Sequence, residues 1–409
     1  MPDMHEINSC EVCGGTELRS VLDLGAHPMC DDLVPIGDSR ICDEYPIEIL
    51  FCGECSTAHQ RFQVPKHQLF PDSYHYRARH TADVLNGMAD LVAECDSRLG
   101  RLEGKRVLDI GCNDGSLLSA FRARGAKTFG IEPTGAAADA AGEGHAVTQA
   151  FFDSDIAVGF VAAHGHPDIV TFTNVFAHIE DLNGVLTALQ TIMSDTTVLV
   201  VENHYLGSVL EGGQFDTFYH EHPRTYSFRS FDRIARSLGR EVLHVEFPKR
   251  YGGNIRVMIG RGAADRSSLE EIFQREAGFG EGLDQLAADV EIWRIRKKMQ
   301  IGSLVSRWGP LPAKAFPGRS AISIKLLDLD ESSIQRVFEK PGSQKIGHYI
   351  PGTRIPIVSD DEFDPAQHKG PVLNLAWHIA KEIGIYMQGR GFAGDLVHII
   401  SPDDFVQDA

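Results

Sequence analysis

An α/β chain in three parts is what this sequence predicts: a small cysteine-bearing N-terminal module, a Rossmann-like central domain and a C-terminal α/β domain that is again Rossmann-like. Three observations predict it. Two C-x2-C pairs stand near the N-terminus, short apolar runs alternate with helical stretches from Arg106 onward, and a polar, glycine-containing stretch at 260–266 is followed by a second round of alternation. The parts are expected over residues 1–70, 71–262 and 263–409.

Bulk properties narrow the class. With 409 residues, 43% of them hydrophobic, the chain can bury more than one core. Lys and Arg total 39 against 57 Asp and Glu, a formal charge of -18, which repels polyanions and argues against nucleic acid as a partner. The first residues, Met1 to Glu6, have neither a basic segment nor an apolar one, and no run of about 18 uncharged apolar residues occurs. A cytoplasmic protein without membrane contact is expected.

In the N-terminal module, Ile47 to Phe51 reads as an extended run, and Gly14-Gly15 and Gly37 read as turns. Four of the eight cysteines fall in its two pairs, while Cys30, Cys42, Cys95 and Cys112 are scattered, a metal pattern rather than a disulfide framework. Cys10, Cys13, Cys52 and Cys55 supply four thiolates for a tetrahedral Zn2+. Four sulfurs leave no coordination position for water, so the zinc is expected to be structural.

The central domain opens with helical spacing from Leu85 to Leu99. Strand runs follow at Val107–Ile110, Thr128–Ile131, Ile169–Phe172 and Val198–Glu202, the rhythm of βαβ units. The first run enters a turn carrying Asp109, Gly111, Asn113, Asp114 and Gly115, and then a helix from Ser116 to Arg124. Gly111 allows close backbone approach to a ligand. Glu132, 21 residues after Gly111 and at the end of the next strand, can accept ribose hydroxyls. The dinucleotide fingerprint G-x-G-x-x-G is absent, because Asn113 stands at its second glycine. S-adenosylmethionine carries no phosphate and two cationic groups, and suits a turn containing Asp109, Asn113 and Asp114. Phe151 and Phe152 either flank the adenine or belong to the core. The third domain reads as a helical segment from Ser268 to Gln300, then apolar runs at 321–327, 372–375 and 396–400.

Four segments carry a family resemblance: Asp109-Ile110-Gly111-Cys112-Asn113-Asp114-Gly115, Gly130-Ile131-Glu132-Pro133, Asn174-Val175-Phe176-Ala177-His178-Ile179, and Phe215-Asp216-Thr217-Phe218-Tyr219-His220-Glu221-His222. Together they resemble the zinc-containing, S-adenosylmethionine-dependent sugar C-methyltransferases that make branched deoxysugars, over nearly the whole chain. The resemblance implies a class I methyltransferase fold in the central domain and a C-terminal domain that assists nucleotide-sugar binding. It implies proton removal beside the 4-keto group of a nucleotide-linked 6-deoxysugar and methylation of that carbon, usually C3. It places functional residues at Tyr76, His178, Tyr219, Glu221 and His222, and adds Asn174 to the cofactor set. The pattern fades at Ala315-Phe316-Pro317-Gly318-Arg319-Ser320-Ala321, where the family has a lysine in the turn; Tyr349 to Pro356 and Leu375-Ala376-Trp377-His378 resemble it again.

The chemistry of these residue types agrees. Methylating carbon needs a base for an acidified C–H and donors for an enolate oxygen. His222 is the expected base, since imidazole titrates near neutrality; Tyr219 and Tyr76 are phenolic donors, and His178 is a further donor or acid–base group. Glu221 would point away from His222 in an extended segment, so it is expected to orient substrate or a neighbouring ring. Bland readings stand beside these: the histidines are among 18, Tyr76 lies in the aromatic run Tyr74-His75-Tyr76 and could pack between domains, and Arg77-Ala78-Arg79-His80 either meets a diphosphate or is a solvated face. Competing functions are an N- or O-methyltransferase for another small acceptor, which needs no enolate donors, and a non-catalytic zinc-containing nucleotide-binding protein. A monomer is expected, with the third domain closing over the site.

Overall fold

The computed structural model describes residues 4–71, 76–250, 252–262 and 266–405. The N-terminal module is built on antiparallel strands β1 (Leu18–Pro28), β2 (Glu44–Cys52) and β3 (Thr57–Gln60). In β2, buried Tyr45, Ile47 and Ile49 alternate with half-buried Pro46 and Glu48, the period of a strand with one face on a core.

The central domain starts with α1 (Ala82–Leu99), whose Val84, Leu91, Val92 and Cys95 form its buried stripe and which stops at Gly100, φ +76°. There follow β4 (Arg106–Ile110), α2 (Ser116–Arg122), β5 (Lys127–Ile131), β6 (Ala146–Thr148), β7 (Ile169–Thr173), β8 (Val198–His204), β9 (Arg224–Thr225), β10 (Glu241–Glu246) and β11 (Asn254–Gly260). Among the described residues, seven of these strands form one sheet in the order β10-β11-β8-β7-β4-β5-β6. Strands β4 to β8 are parallel, and β11 runs antiparallel to both β8 and β10. Val107, Leu108, Val170 and Leu199 are fully buried, as expected of parallel strands covered on both faces. Chain order reverses between β4 and β7, so the ends of these strands border the crevice where such sheets bind ligands.

The C-terminal domain carries α3 (Arg266–Glu276), α4 (Phe279–Trp308), β12 (Leu311–Lys314), α5 (Ser320–Leu326), β13 (Ile334–Glu339), β14 (Ile357–Ser359), β15 (Val372–Asn374) and β16 (Leu396–His398). These five strands form one parallel sheet in the order β14-β13-β12-β15-β16, with a second switch point between β12 and β15. Two expectations need correction. The helical segment from Ser268 is two helices broken at Ala277-Gly278, and the apolar run at 321–327 is mostly helix α5, buried from Ser320 to Ile324.

The three parts interlock. Strand β9 lies outside the central sheet and pairs instead with β3, joining Arg224 to His59, while His348–Tyr349 pairs with Val34–Pro35. Within α4, fully buried Trp293 donates to the Ile399 carbonyl at 3.0 Å and packs its ring 4.6 Å from that of Phe215 in the central domain. The N-terminal module and α4 therefore fix the C-terminal domain against the mouth of the central sheet.

Candidate active site

The N-terminal module carries a candidate metal centre at its four paired cysteines. Cys10 and Cys55 Sγ lie 3.4 Å apart, Cys13 and Cys52 Sγ 3.5 Å, and all four sulfurs fall within 4.8 Å of one another. A tetrahedron of Zn–S bonds of about 2.3 Å has edges of about 3.8 Å, so the four thiols fit a closed zinc site. Gly14 at φ +80° makes the first knuckle, its N–H reaching the Cys10 carbonyl at 2.8 Å. Around the sulfurs, Cys10 meets His59 Nε2 at 3.3 Å and Cys55 meets Thr57 Oγ1 at 3.0 Å. Behind them Glu11 pairs with fully buried Arg224 at 2.6 Å; burial opposes its ionisation, but His59 and Arg224 outweigh that and hold its carboxyl at about 2. The zinc module is thus tied by charge as well as by strand pairing to the central domain.

The cofactor turn follows β4. Gly111, Asn113 and Gly115 all have positive φ, +72°, +48° and +78°. A Cβ on Gly111 would fall 2.6 Å from Val175 Cγ2, so glycine is required by packing as well as by conformation. Glu132 is buried, and its carboxylate accepts from Asn113 N at 2.9 Å, Thr134 N at 2.9 Å and Thr134 Oγ1 at 2.6 Å. A carboxylate has about four acceptor positions, so one remains for a ribose hydroxyl. Asp109 lies beneath the turn, bonded by Thr171 Oγ1 at 2.7 Å, and burial pushes its carboxyl up to about 7. This acidic, glycine-bearing turn fits S-adenosylmethionine.

Other expected cofactor residues are placed differently from one another. Phe152 is packed in the core, its ring 6.3 Å from that of Phe172, whereas Phe151 is partly exposed with the Lys66 ammonium 4.6 Å from its centroid. Asn174, at φ +55°, begins the segment after β7, and its Oδ1 accepts from Asn254 at 3.3 Å. Asp114 does not face a cation of the cofactor: it accepts from Arg79 N and Nε at 2.9 and 3.0 Å and from Ser116 Oγ at 2.6 Å. Arg77 Nε pairs with Asp139 at 2.6 Å. Arg77 and Arg79 are therefore held against the central domain by its carboxylates. The 77–80 run lies across the turn, with the Tyr76 carbonyl accepting from Asn113 Nδ2 at 3.1 Å and Ala78 N donating to Asn113 Oδ1 at 3.0 Å. The Tyr76 side chain is 42% exposed at this edge; Tyr74 and His75 lie outside the described residues.

The block Tyr219-His220-Glu221-His222 is a tight turn, closed by His222 N to the Tyr219 carbonyl at 2.8 Å, and not an extended segment. Period-two side-chain reasoning consequently fails there. His220 and His222 diverge: His220 Nε2 donates to the Tyr45 carbonyl at 3.0 Å in the zinc module, while the His222 ring sits 4.2 Å from Tyr219 and 4.8 Å from His178. His222 Nδ1 donates to the Thr217 carbonyl at 3.1 Å and His178 Nδ1 to the Glu221 carbonyl at 2.6 Å. A carbonyl can only accept, so Nδ1 carries the proton in both rings and Nε2 keeps its lone pair. Burial, with the neighbouring imidazoles and Arg319, pushes His222 well below the ordinary imidazole value; burial likewise lowers His178. Burial, then the charge of Glu221, raises the Tyr219 phenol well above its ordinary value, so it stays a donor. The Glu221 side chain itself is buried.

The segment Asn174 to His178 joins the two halves of the cleft. Val175 packs on Gly111 at one end, and His178, whose N–H reaches the Val175 carbonyl at 2.9 Å, stands beside His222 at the other. Sequence reasoning assigned no role to five further residues gathered beside this turn: Asp216, His204 at the end of β8, Arg319, Trp377 and His378. Burial holds His204 and His378 down at about 3, with Arg319 adding to it in both. The signals for these were that Asp216 stood within the Phe215 to His222 block, Arg319 where the family pattern departed, and Trp377 and His378 where it returned.

Comparisons with known proteins agree with this layout. Residues 10–70 match a family described as a zinc binding domain, 76–245 one described as a methyltransferase domain, and 249–400 one described as the C-methyltransferase C-terminal domain. The chain is 28% identical over 390 residues to the C-methyltransferase NovU of Streptomyces niveus, covering 92% of this chain and 91% of that one. It is 35% identical over 103 residues to a ubiquinone biosynthesis O-methyltransferase of Acinetobacter baumannii, but covers only 43% of that protein and 24% of this one. A crystal structure of magnesium protoporphyrin IX methyltransferase from Synechocystis PCC 6803 with bound SAH overlays with a TM-score of 0.35 at 18% identity, covering 44% of this chain and 84% of that one. Zinc-binding, methyltransferase and C-methyltransferase C-terminal models matched in one order, with a relative aligned over nearly its whole length, support an S-adenosylmethionine-dependent C-methyltransferase that carries a zinc module.

Proposed function

We propose that this C-methyltransferase acts on a nucleotide-linked 4-keto-6-deoxysugar and methylates C3, the carbon beside the keto group. The observation that carries the reading is the convergence of Tyr219, His222 and His178 on one cleft, connected to the Gly111 turn through Asn174 to His178. His222 Nε2 takes the C3 proton, its ring fixed by the Thr217 carbonyl. Tyr219 donates to the keto oxygen as charge gathers there, with Tyr76 at the open edge as a second phenol. His178 shares the proton load beside His222, and Glu221 orients the turn through its carbonyl bond to His178. The bound cofactor supplies an electrophilic methyl group. Glu132, Gly111, Asn113, Gly115, Asp109 and Asn174 are the residues that would hold it, with Phe151 beside them; Phe152 supports that wall from the core. The zinc at Cys10, Cys13, Cys52 and Cys55 stays structural, holding the wall that carries Tyr45 and Phe70, the latter 5.3 Å from His178. All three parts of one chain line the cleft, so a monomer suffices for the reaction.

Solvent exchange tests the reading. Incubated in deuterium oxide with S-adenosylhomocysteine and thymidine-, uridine- or guanosine-diphospho-4-keto-6-deoxyglucose, the protein should exchange the C3 hydrogen of at least one of them. An N- or O-methyltransferase would exchange none.

A further inference from the structure

Arg319 follows the first strand-to-helix turn of the C-terminal domain and crosses to the central domain. Its Nε donates to Asp216 Oδ2 at 3.2 Å and its Nη1 to Thr217 Oγ1 at 3.3 Å. The guanidinium lies 5.1 Å from the centroid of the Trp377 indole, whose Nε1 donates to the same Asp216 oxygen at 2.8 Å. Thr217 is also the residue whose carbonyl holds His222 Nδ1. The Arg319 side chain is 13% exposed, and among the described residues its Nη2 has no hydrogen-bond partner. Asp216 Oδ1, His204 Nε2 and His378 Nδ1 share that condition, and both histidines lie within reach of the Arg319 charge. Folded interiors leave few polar atoms unmatched, so a guanidinium nitrogen and an oxygen of its own carboxylate partner, both buried without a hydrogen bond, mark a place for a ligand's polar atom.

Resting on the C-methylation reading above, we infer that Arg319 is an oxyanion donor of this active site, its Nη2 binding the keto oxygen of the substrate. When the C3–H bond breaks, the proton goes to His222 Nε2, the bonding pair becomes the C3–C4 π bond and the carbonyl π pair moves to oxygen. That oxygen then lies against a fixed cation. On methylation the oxygen pair returns to re-form the carbonyl, and the new carbon–carbon bond forms as the donor's carbon–sulfur bond breaks to leave a neutral thioether.

Two observations favour a single oxygen over a diphosphate as the Arg319 ligand. A guanidinium grips phosphate through two parallel N–H donors. Here each edge containing Nη2 has its other member bonded, Nε to Asp216 and Nη1 to Thr217, so no free fork remains. The charge of Arg319 also bears on Tyr219 and His222 together, opposing the rise of the phenol and adding to the depression of the imidazole. The shared partner agrees: Thr217 accepts from Arg319 through its Oγ1 and from His222 Nδ1 through its carbonyl.

The test uses the full zinc-loaded chain with Arg319→Gln and Arg319→Lys, the three diphospho-4-keto-6-deoxyglucoses, and S-adenosylhomocysteine or S-adenosylmethionine. Arg319→Gln should lower C3 exchange and kcat together by about 10²- to 10³-fold, the loss typical of one oxyanion donor, with KM for the sugar changed by less than about threefold. Arg319→Lys keeps the charge and guards against misfolding of the first variant; its single ammonium cannot hold Asp216 and the oxygen at once, so it should lose about tenfold or more. S-adenosylhomocysteine affinity should be unchanged in both. Exchange by the unaltered protein with undiminished exchange in the variants overturns the assignment alone, as does a raised KM at constant kcat, which would make Arg319 a phosphate ligand. No exchange by the unaltered protein with any of the three sugars overturns the C-methylation reading itself, and this assignment with it.

Discussion

Replacing His222 by Asn separates the base from the scaffold around it. The imidazole makes one fixed bond, Nδ1 to the Thr217 carbonyl at 3.1 Å, and the Asn amide nitrogen can occupy nearly the same place. What disappears is Nε2, the nitrogen with the free lone pair. A positioned general base contributes about 10²- to 10⁴-fold, or about 2.7–5.4 kcal/mol of barrier. Removing the ring from between Tyr219 and His178 costs about 1 kcal/mol of stability, so the variant should fold and bind S-adenosylhomocysteine as before. The assay is C3 hydrogen exchange in deuterium oxide, followed by NMR, at several pH values. In the unaltered protein the acid limb should lie well below pH 6.5, because His222 is depressed from its ordinary value and stays neutral there. Exchange within tenfold of normal in His222→Asn would refute the role of His222; if His178→Asn then abolished exchange, His178 would be the base.

Three further outcomes follow from the geometry. Glu132→Ala removes a buried acceptor expected to hold ribose and should weaken S-adenosylhomocysteine by about 10- to 100-fold in calorimetry, whereas equal affinity would place the cofactor elsewhere. Metal analysis should find one zinc per chain and less in Cys52→Ser, with a lower melting temperature; a native-like, metal-free chain with four free thiols there would contradict the zinc centre. His220 is buried neutral, its imidazole lowered from 6.5 to about 4 by burial, so the unfolded chain takes up a proton that the folded chain refuses as pH falls below 6.5. Its contribution, on the order of 3 kcal/mol, is present above pH 6.5 and is lost progressively towards pH 4, so urea midpoints should fall over that window and fall less in His220→Gln. Equal slopes in the two proteins would show that His220 is not the linked group.

The elements most legible in the sequence were those set by local rules. Parallel strands such as Val107 to Ile110 are buried on both faces, so their apolar runs announce themselves, and the two knuckles of the metal centre follow from cysteine spacing alone. The 219–222 block differs in shape from the extended segment expected, because a turn closed by one backbone bond has no period to read, and this turn decides which rings meet. Arg77 and Arg79 read as either a diphosphate contact or a solvated face, since nothing in sequence brings Asp139 and Asp114 beside them. Arg319, Trp377 and His378 were visible only as a departure and a return of a pattern. They reach the cleft through the docking of a separate sheet, which Trp293 and the 348–349 strand pairing enforce and no local signal encodes.

A crystal structure with S-adenosylhomocysteine and the exchanging diphospho-4-keto-6-deoxyglucose bound together would show whether methyl donor and acidified carbon meet where the residues require. The thioether sulfur should lie against the Gly111 turn, with the sugar C3 between it and His222 Nε2 and the keto oxygen facing Tyr219 and Arg319. A sugar ring lodged away from His222 and Tyr219, with protein filling the space between it and the sulfur, would contradict this arrangement.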